Sequence, residues 1–252
     1  MSHIGNNTIK LEAKVISMVG DNLTEEQKRR YLPRNEYLMG EFVPKMTNCG
    51  FTTSLFPAIT PQDEDFLIED SVVTYRNHRY TRGKNRQGEL ASTFQIALTL
   101  GHLMLWEESI AENKAILILE DDVYLPKENE EIVKNAIEDF LSCKDPRIER
   151  GILYLQSTCP WRSGKPKKEY APWALMKNDF GLFRMAPTWN DTSGTAAYLI
   201  TPSSASFLAE YVRNSPLWTP DGMFDDAKRC GAVDLYLPKE YTKNFELHPI
   251  FA

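Results

Sequence analysis

Five consecutive apolar residues, Ala115-Ile116-Leu117-Ile118-Leu119, run without alternation straight into three acids, Glu120-Asp121-Asp122. A strand with one wet face alternates apolar and polar residues, whereas a strand covered by helices on both faces reads as a continuous apolar run. This segment alone predicts a central strand of a layered α/β domain that ends in a cluster of carboxylates. In open α/β sheets, ligands bind at the carboxyl ends of the strands, so the cluster lies where chemistry is expected.

The flanking segments agree with a repeated strand-helix pattern. Val15-Ile16-Ser17-Met18 is a β-prone run closed by Gly20-Asp21-Asn22, and Thr24-Glu25-Glu26-Gln27 carries the signature of a capped helix start. Phe51 to Pro57 and Ser71 to Tyr75 read as strands. Glu89 to Asn113 spaces Leu90, Phe94, Ala97, Leu98, Gly101, Leu105 and Trp106 at helical intervals, which predicts a long helix with one buried face. Glu130 to Leu141 is amphipathic, Gly151 to Leu155 reads as a second buried strand, and Thr195 to Ile200 as a third. Thr201 then caps a helix with Pro202 in its first turn, running to about Asn214. Alternation of this kind implies a mostly parallel, Rossmann-type mixed sheet flanked by helices.

At 252 residues, 42% apolar and 25% charged, the chain is long enough for one α/β domain with a sizeable core, and disorder and fibrous folds are excluded. Its net charge of −6 provides no global field toward nucleic acid or anionic lipid, so any polyanion would have to be held locally. The opening residues lack a basic segment followed by an apolar run, and no stretch approaches the ~18 residues of a membrane span. A cytoplasmic protein is expected on those grounds. Cys49, Cys143, Cys159 and Cys230 are widely scattered without a CxxC pair, which reads as free thiols rather than zinc ligands or disulfides.

Residues two apart in an extended chain share a face, so Glu120 and Asp122 are expected to point together while Asp121 points away. Two adjacent carboxylates repel unless a cation joins them, and hard oxygen ligands at this density suit Mg²⁺ or Mn²⁺. A solvated acidic turn is the plain alternative. A phosphatase-like Asp pair fits poorly, because the nucleophile position would be Glu120, one carbon longer than the chemistry needs. No GxGxxG or GxSxG occurs, and Gly164-Lys165 is followed by Pro166 where a phosphate-binding loop needs Ser or Thr. Arg76 to Arg86 carries five Lys or Arg and no acid, interleaved with Tyr75 and Tyr80. It reads as a solvated loop, a loop closing over an anion, or a stacking platform for single-stranded nucleic acid. Trp161, Tyr170, Trp173, Phe180, Phe183 and Trp189 form an aromatic-rich segment suited to sugar rings or to a core.

Four ordered blocks resemble glycosyltransferase family 25, the lipopolysaccharide and collagen-modifying transferases. They are Val15 to Met18 with Arg29 and Arg30 downstream; the helix Phe94 to Trp106 leading to Ile116-Leu117-Ile118-Leu119-Glu120-Asp121-Asp122-Val123; Gly194-Thr195-Ala196-Ala197-Tyr198-Leu199-Ile200; and Val233-Asp234-Leu235-Tyr236-Leu237. Phe94, Gln95, Leu98 and Gly101 depart from the family's helix pattern, while His102 and Trp106 retain it. A lone histidine on an apolar helix face is by itself more often a satisfied structural residue than a catalyst.

The resemblance implies a single GT-A-like domain, with a nucleotide-binding part at about 10–125 and an acceptor-binding part at about 126–252. It implies a metal-dependent, inverting transfer of sugar from a nucleotide sugar, UDP being the usual carrier, to a glycan or glycoconjugate acceptor. Ser17, Met18, Arg29, Arg30, Glu120 and Asp121 become candidate nucleotide contacts. Asp122, with Glu120 and His248, becomes the candidate ligand set for Mn²⁺ or Mg²⁺. Inversion needs a base for the acceptor hydroxyl, for which Asp234, Asp225 and Asp226 are the candidates. A carbohydrate- or nucleic-acid-binding module without catalysis is the alternative.

Overall fold

Strand β1 (Leu11–Ser17) opens the fold in the computed structural model, which describes residues 11–19, 23–84, 88–125, 127, 130–143, 151–155, 184–185, 197–220, 223, 233–236 and 246–247. Helix α1 (Glu25–Tyr37) starts as its sequence predicts. The Thr24 hydroxyl accepts from the Gln27 amide at 3.2 Å and the Gln27 side chain accepts from the Thr24 amide at 2.9 Å, so two end donors are satisfied reciprocally. The helix does not stop there. It runs through a π-helical turn, Leu38–Phe42, into α2 (Val43–Asn48), burying Leu38, Phe42 and Met46 before Gly50 turns the chain at φ +92°. Strand β2 (Phe51–Pro57) then pairs parallel to β1.

Three short antiparallel strands follow: β3 (Phe66–Glu69), β4 (Val72–Tyr75) and β5 (His78–Thr81). The basic stretch is therefore not a single loop. Arg76 and Asn77, both at positive φ, make the two-residue turn that matches hairpin twist, and β5 grows from the residues after it. Tyr75 and Tyr80 are each only 5% exposed, packed in the core with Phe66 and Val73. Rings buried to this extent do not form the row of exposed faces that a single-strand platform needs.

Helix α3 (Thr93–Glu112) begins four residues later than its apolar spacing predicts, because Ser92 and Gln95 form a second capping box and set the start. Leu90 and Phe94 consequently lie outside the buried stripe and are exposed; Ile96, Leu100, Leu103 and Trp106 form it. Strand β6 (Ile116–Glu120) follows, with Ile116 to Leu119 wholly buried, as a continuous apolar run requires. The remaining elements are β7 (Val123–Tyr124), α4 (Glu130–Ser142), β8 (Gly151–Tyr154), β9 (Arg184–Met185), β10 (Ala197–Ile200), α5 (Pro202–Arg213), β11 (Val233–Tyr236) and β12 (Glu246–Leu247). Thr201 caps α5 and Pro202 occupies its first turn.

The main sheet has the order β2-β1-β6-β10-β8-β11-β9. Strands β2, β1, β6, β8 and β11 share one direction, while β10 and β9 oppose it, so the sheet is mixed and mostly parallel. On one face, Ile116, Ile118, Tyr198 and Ile200 pack with α3 and α5. On the other, Val15, Leu117, Leu119 and Leu153 pack with the π-helical turn, α2 and α4. Among the described residues, no helix is long and apolar enough to cross a membrane. Cys49 is a buried free thiol, pushed up to about 11 by burial and Glu130, and Cys143 is a half-buried free thiol. Cys159, Cys230 and the aromatic-rich segment from Trp161 to Trp189, its Arg184–Met185 strand excepted, lie outside the described residues.

Candidate active site

Strand geometry ends at Glu120, and Asp121 and Asp122 form the turn into β7. Glu120 and Asp121 leave the sheet toward opposite layers, as alternation demands: Glu120 faces α3, where its Oε1 lies 3.8 Å from His102 Nε2, and Asp121 faces α1. Asp121 thus points away from Glu120, and the layer it enters holds a built polar site. Its Oδ1 accepts from Arg34 Nη1 at 2.8 Å, and the Met18 amide also bonds it. Burial nevertheless pushes its carboxyl above the usual range, against the pull of Arg34 and Met18.

Asp122 is the exceptional group. Its Oδ1 is buried without a hydrogen-bond partner among the described residues. Burial, followed by the neighbouring charges of Glu120 and Asp121, pushes the carboxyl up to about 6. A buried, unsatisfied carboxylate oxygen that feels the charges of two other carboxylates costs free energy, and a hard divalent cation is the ligand that relieves it. Among the described residues, Glu12, Glu108 and Glu112 also converge, but Lys14 and Lys114 hold them in an ion-pair network, so that cluster already has its cations.

Of the predicted nucleotide contacts, Ser17 and Met18 end β1 beside this turn. Ser17 Oγ donates to Asn35 Oδ1 at 2.9 Å and lies 3.4 Å from Asp121 Oδ2, while Asn35 Nδ2 donates to the Met18 carbonyl at 3.2 Å. Arg29 and Arg30 project from α1 as exposed side chains, and Arg34 is the arginine that reaches the acids. Arg30 and Arg34 sit one turn apart, each 5.7 Å from the Tyr31 ring. The capped start at Thr24 sets the helix register, so this i, i+4 relation was the available signal for Arg34; no local signal marked Asn35.

Just beyond Met18, a cavity of about 250 Å³ opens between the ends of β1 and β2 and the small sheet, lined by Val19, Phe56, Ala58, Thr60, Tyr75 and Arg76 among others. Asp63 shapes its rim, accepting from the Thr60 amide at 3.0 Å and the Thr60 hydroxyl at 2.9 Å. Of the basic stretch, Arg76 lines this cavity, whereas Arg82 bonds the carbonyls of Asp70 and Ala91 and is structural.

The register separates Asp234 from the acidic turn. Leu235 aligns with Leu153, Leu153 with Leu199 and Leu199 with Leu117, so Asp234 sits one row below Leu117 and four rows below Glu120, three strands away. At ~3.3 Å per residue and ~4.8 Å per strand, the two backbones are about 20 Å apart. Asp225, Asp226 and His248 lie outside the described residues.

The profile of glycosyltransferase family 25 (LPS biosynthesis protein) matches residues 21–225, most of the chain. The chain belongs to glycosyltransferase family 25. A protein of Haemophilus influenzae, named provisionally as a glycosyltransferase, is 28% identical over 197 residues, which are 78% of this chain and 57% of that protein. The chain thus spans little more than half the length of that relative. Two solved structures overlap loosely. A glycosyltransferase involved in glycosylating the major capsid of PBCV-1 gives a TM-score of 0.36 at 11% identity, over 82% of this chain and 68% of that one. Mannose-1-phosphate geranyltransferase from Thermus thermophilus gives 0.38 at 10% identity, over 94% and 75%. At these scores no residue is transferred from either.

Proposed function

We propose that this family 25 chain is a GT-A-like, metal-dependent, inverting glycosyltransferase that takes its sugar from a nucleotide sugar, with UDP as the carrier, and gives it to a glycan or glycoconjugate. The single observation that carries the reading is the buried Oδ1 of Asp122, without a hydrogen-bond partner among the described residues, next to Glu120 and Asp121 at the carboxyl end of a central strand. Asp122 and Glu120 are the residues that would hold Mn²⁺ or Mg²⁺, with His248 as a candidate third ligand. When bound, such a cation stabilises the negative charge that gathers on a departing diphosphate.

The chain's own groups divide the remaining work. The cavity beside Val19 and Arg76 is of a size and polarity for a base and ribose, and the hydrogen bonds of Asn35 to Ser17 and Met18 tie the end of β1, next to that cavity, to α1. Arg34 offsets the charge of Asp121 and holds that carboxylate against α1. Residues from about 126 onward are assigned to the acceptor. The base that removes the acceptor proton is proposed among Asp225, Asp226 and Asp234, and the ~20 Å separation derived from strand geometry argues for one of the first two.

The test is thermal unfolding with UDP, GDP, CDP and ADP, each with and without Mn²⁺, since a ligand of the native state stabilises it by RT ln(1 + [L]/Kd). A shift with one nucleotide that requires Mn²⁺ and disappears in Asp122→Ala supports the reading. Shifts that ignore both metal and variant would replace it with a binding module.

A further inference from the structure

His102 is wholly buried on α3, yet among the described residues only one of its ring nitrogens has a hydrogen-bond partner. Nδ1 lies 2.7 Å from the Tyr198 hydroxyl on β10, which also receives the Trp106 indole N–H at 3.0 Å. Nε2 has no hydrogen-bond partner among the described residues, and the group it faces is the Glu120 carboxylate, 3.8 Å away. The ring is clamped as well as bonded, stacked on Tyr198 at 5.6 Å between centroids and flanked by Trp106 at 6.5 Å.

The direction of the hydrogen bonds follows from what each group can do. An indole N–H only donates, so the Tyr198 oxygen accepts from Trp106 and its own hydrogen can go to Nδ1. A neutral imidazole that accepts at Nδ1 carries its hydrogen on Nε2, and a carboxylate facing Nε2 favours the same tautomer. Leaving a buried N–H short of its acceptor costs stability, so the arrangement persists against a penalty that a packing role alone does not require.

We propose that His102 is a positioning residue for Glu120: Trp106 and Tyr198 hold its ring with Nε2–H directed at the Glu120 carboxylate, which keeps that carboxylate turned to share a divalent cation with Asp122. The proposal rests on reading the acidic turn as a cation site, and the experiment below separates the two. The chemistry is that of a metal's outer shell, where a fixed imidazole donor orients a ligating carboxylate, and loss of such a partner typically weakens metal binding 10–100-fold.

The first arm needs no metal. Long-range ¹⁵N–¹H spectra of the metal-free protein near pH 8 should show His102 as the Nε2–H tautomer, and Glu120→Gln should move its Nε2 resonance. Finding the Nδ1–H tautomer, or ring resonances indifferent to Glu120→Gln, overturns the proposal. The second arm measures Mn²⁺ affinity calorimetrically alongside Tm. His102→Asn can satisfy Tyr198 but lacks a donor at the Nε2 position, and should weaken Mn²⁺ at least 10-fold with Tm little changed. His102→Gln can place an amide N–H there and should recover most of the loss. Equal affinity in both variants, or losses that track Tm in both, would assign His102 to packing alone. A wild-type protein that takes up no Mn²⁺ refutes the cation site, while the spectra still decide the His102–Glu120 contact.

Discussion

Replacing Asp122 by Asn should make the metal-free protein more stable and the enzyme inactive, and the stability gain should depend on pH in a defined way. The Asp122 carboxyl is held at about 6 in the folded chain against 3.8 for an ordinary aspartate, because it is buried and faces Glu120 and Asp121. The native state therefore binds this proton more tightly than the unfolded chain does. Stability falls as pH rises from about 4 through about 6 and is then level, the full penalty being present above the folded value. A difference of about 2 pH units at ~1.36 kcal/mol each is roughly 3 kcal/mol. Asn has the same shape and no charge, so Asp122→Asn should recover up to roughly 3 kcal/mol at pH 8 and close to nothing at pH 4. For a chain of this size that is a rise in Tm of about 6–12 °C. The assay is urea and thermal unfolding of both proteins in a chelator across pH 4–8, then with Mn²⁺, which should raise the wild-type Tm and leave the variant unmoved. A variant no more stable than wild type at pH 8, or a gain of the same size at pH 4, would refute the argument that Asp122 is an ionised, uncompensated group.

Other perturbations probe the frame around the turn. Arg34→Ala should destabilise by about 2–3 kcal/mol, because Asp121 keeps a buried charge without its guanidinium, and adding Asp121→Asn should return most of that loss in chemical denaturation. Gly101→Ala should stabilise by ~0.5–1 kcal/mol, since a Cβ there meets nothing within 4 Å and removes a glycine from a helix interior. Gly83→Ala should cost about 1–3 kcal/mol, because its Cβ would lie 2.7 Å from the Leu217 carbonyl oxygen, which cannot swing aside, and 2.6 Å from Trp218. Asp234→Asn should leave sugar transfer within a few-fold of wild type, whereas Asp225→Asn or Asp226→Asn should abolish it with nucleotide binding intact; transfer lost only in Asp234→Asn would restore Asp234 as the base.

What the sequence by itself determined was local. The apolar run of β6, the capped start at Thr24, the Thr201 cap and the Pro202 start of α5 are each written within a few residues, so propensity and periodicity identify them without reference to the rest of the chain. The small sheet was only partly legible, because four-residue strands bearing Arg and His look like loops until Tyr75 and Tyr80 find a core to enter. The reach of α1 through a π-helical turn into α2 was hidden for a similar reason: Leu38, Phe42 and Met46 are buried against the far layer of the main sheet. At the candidate site, the sequence marked the three acids but not their division of labour. That was decided by tertiary structure, which brings Arg34 to Asp121 across 87 positions and Tyr198 to His102 across 96. Hydrogen bonds and charges act over a few ångströms of space, whatever the distance along the chain, so only the folded sheet could turn Glu120 toward a histidine, Asp121 toward an arginine, and leave an oxygen of Asp122 buried and unpaired.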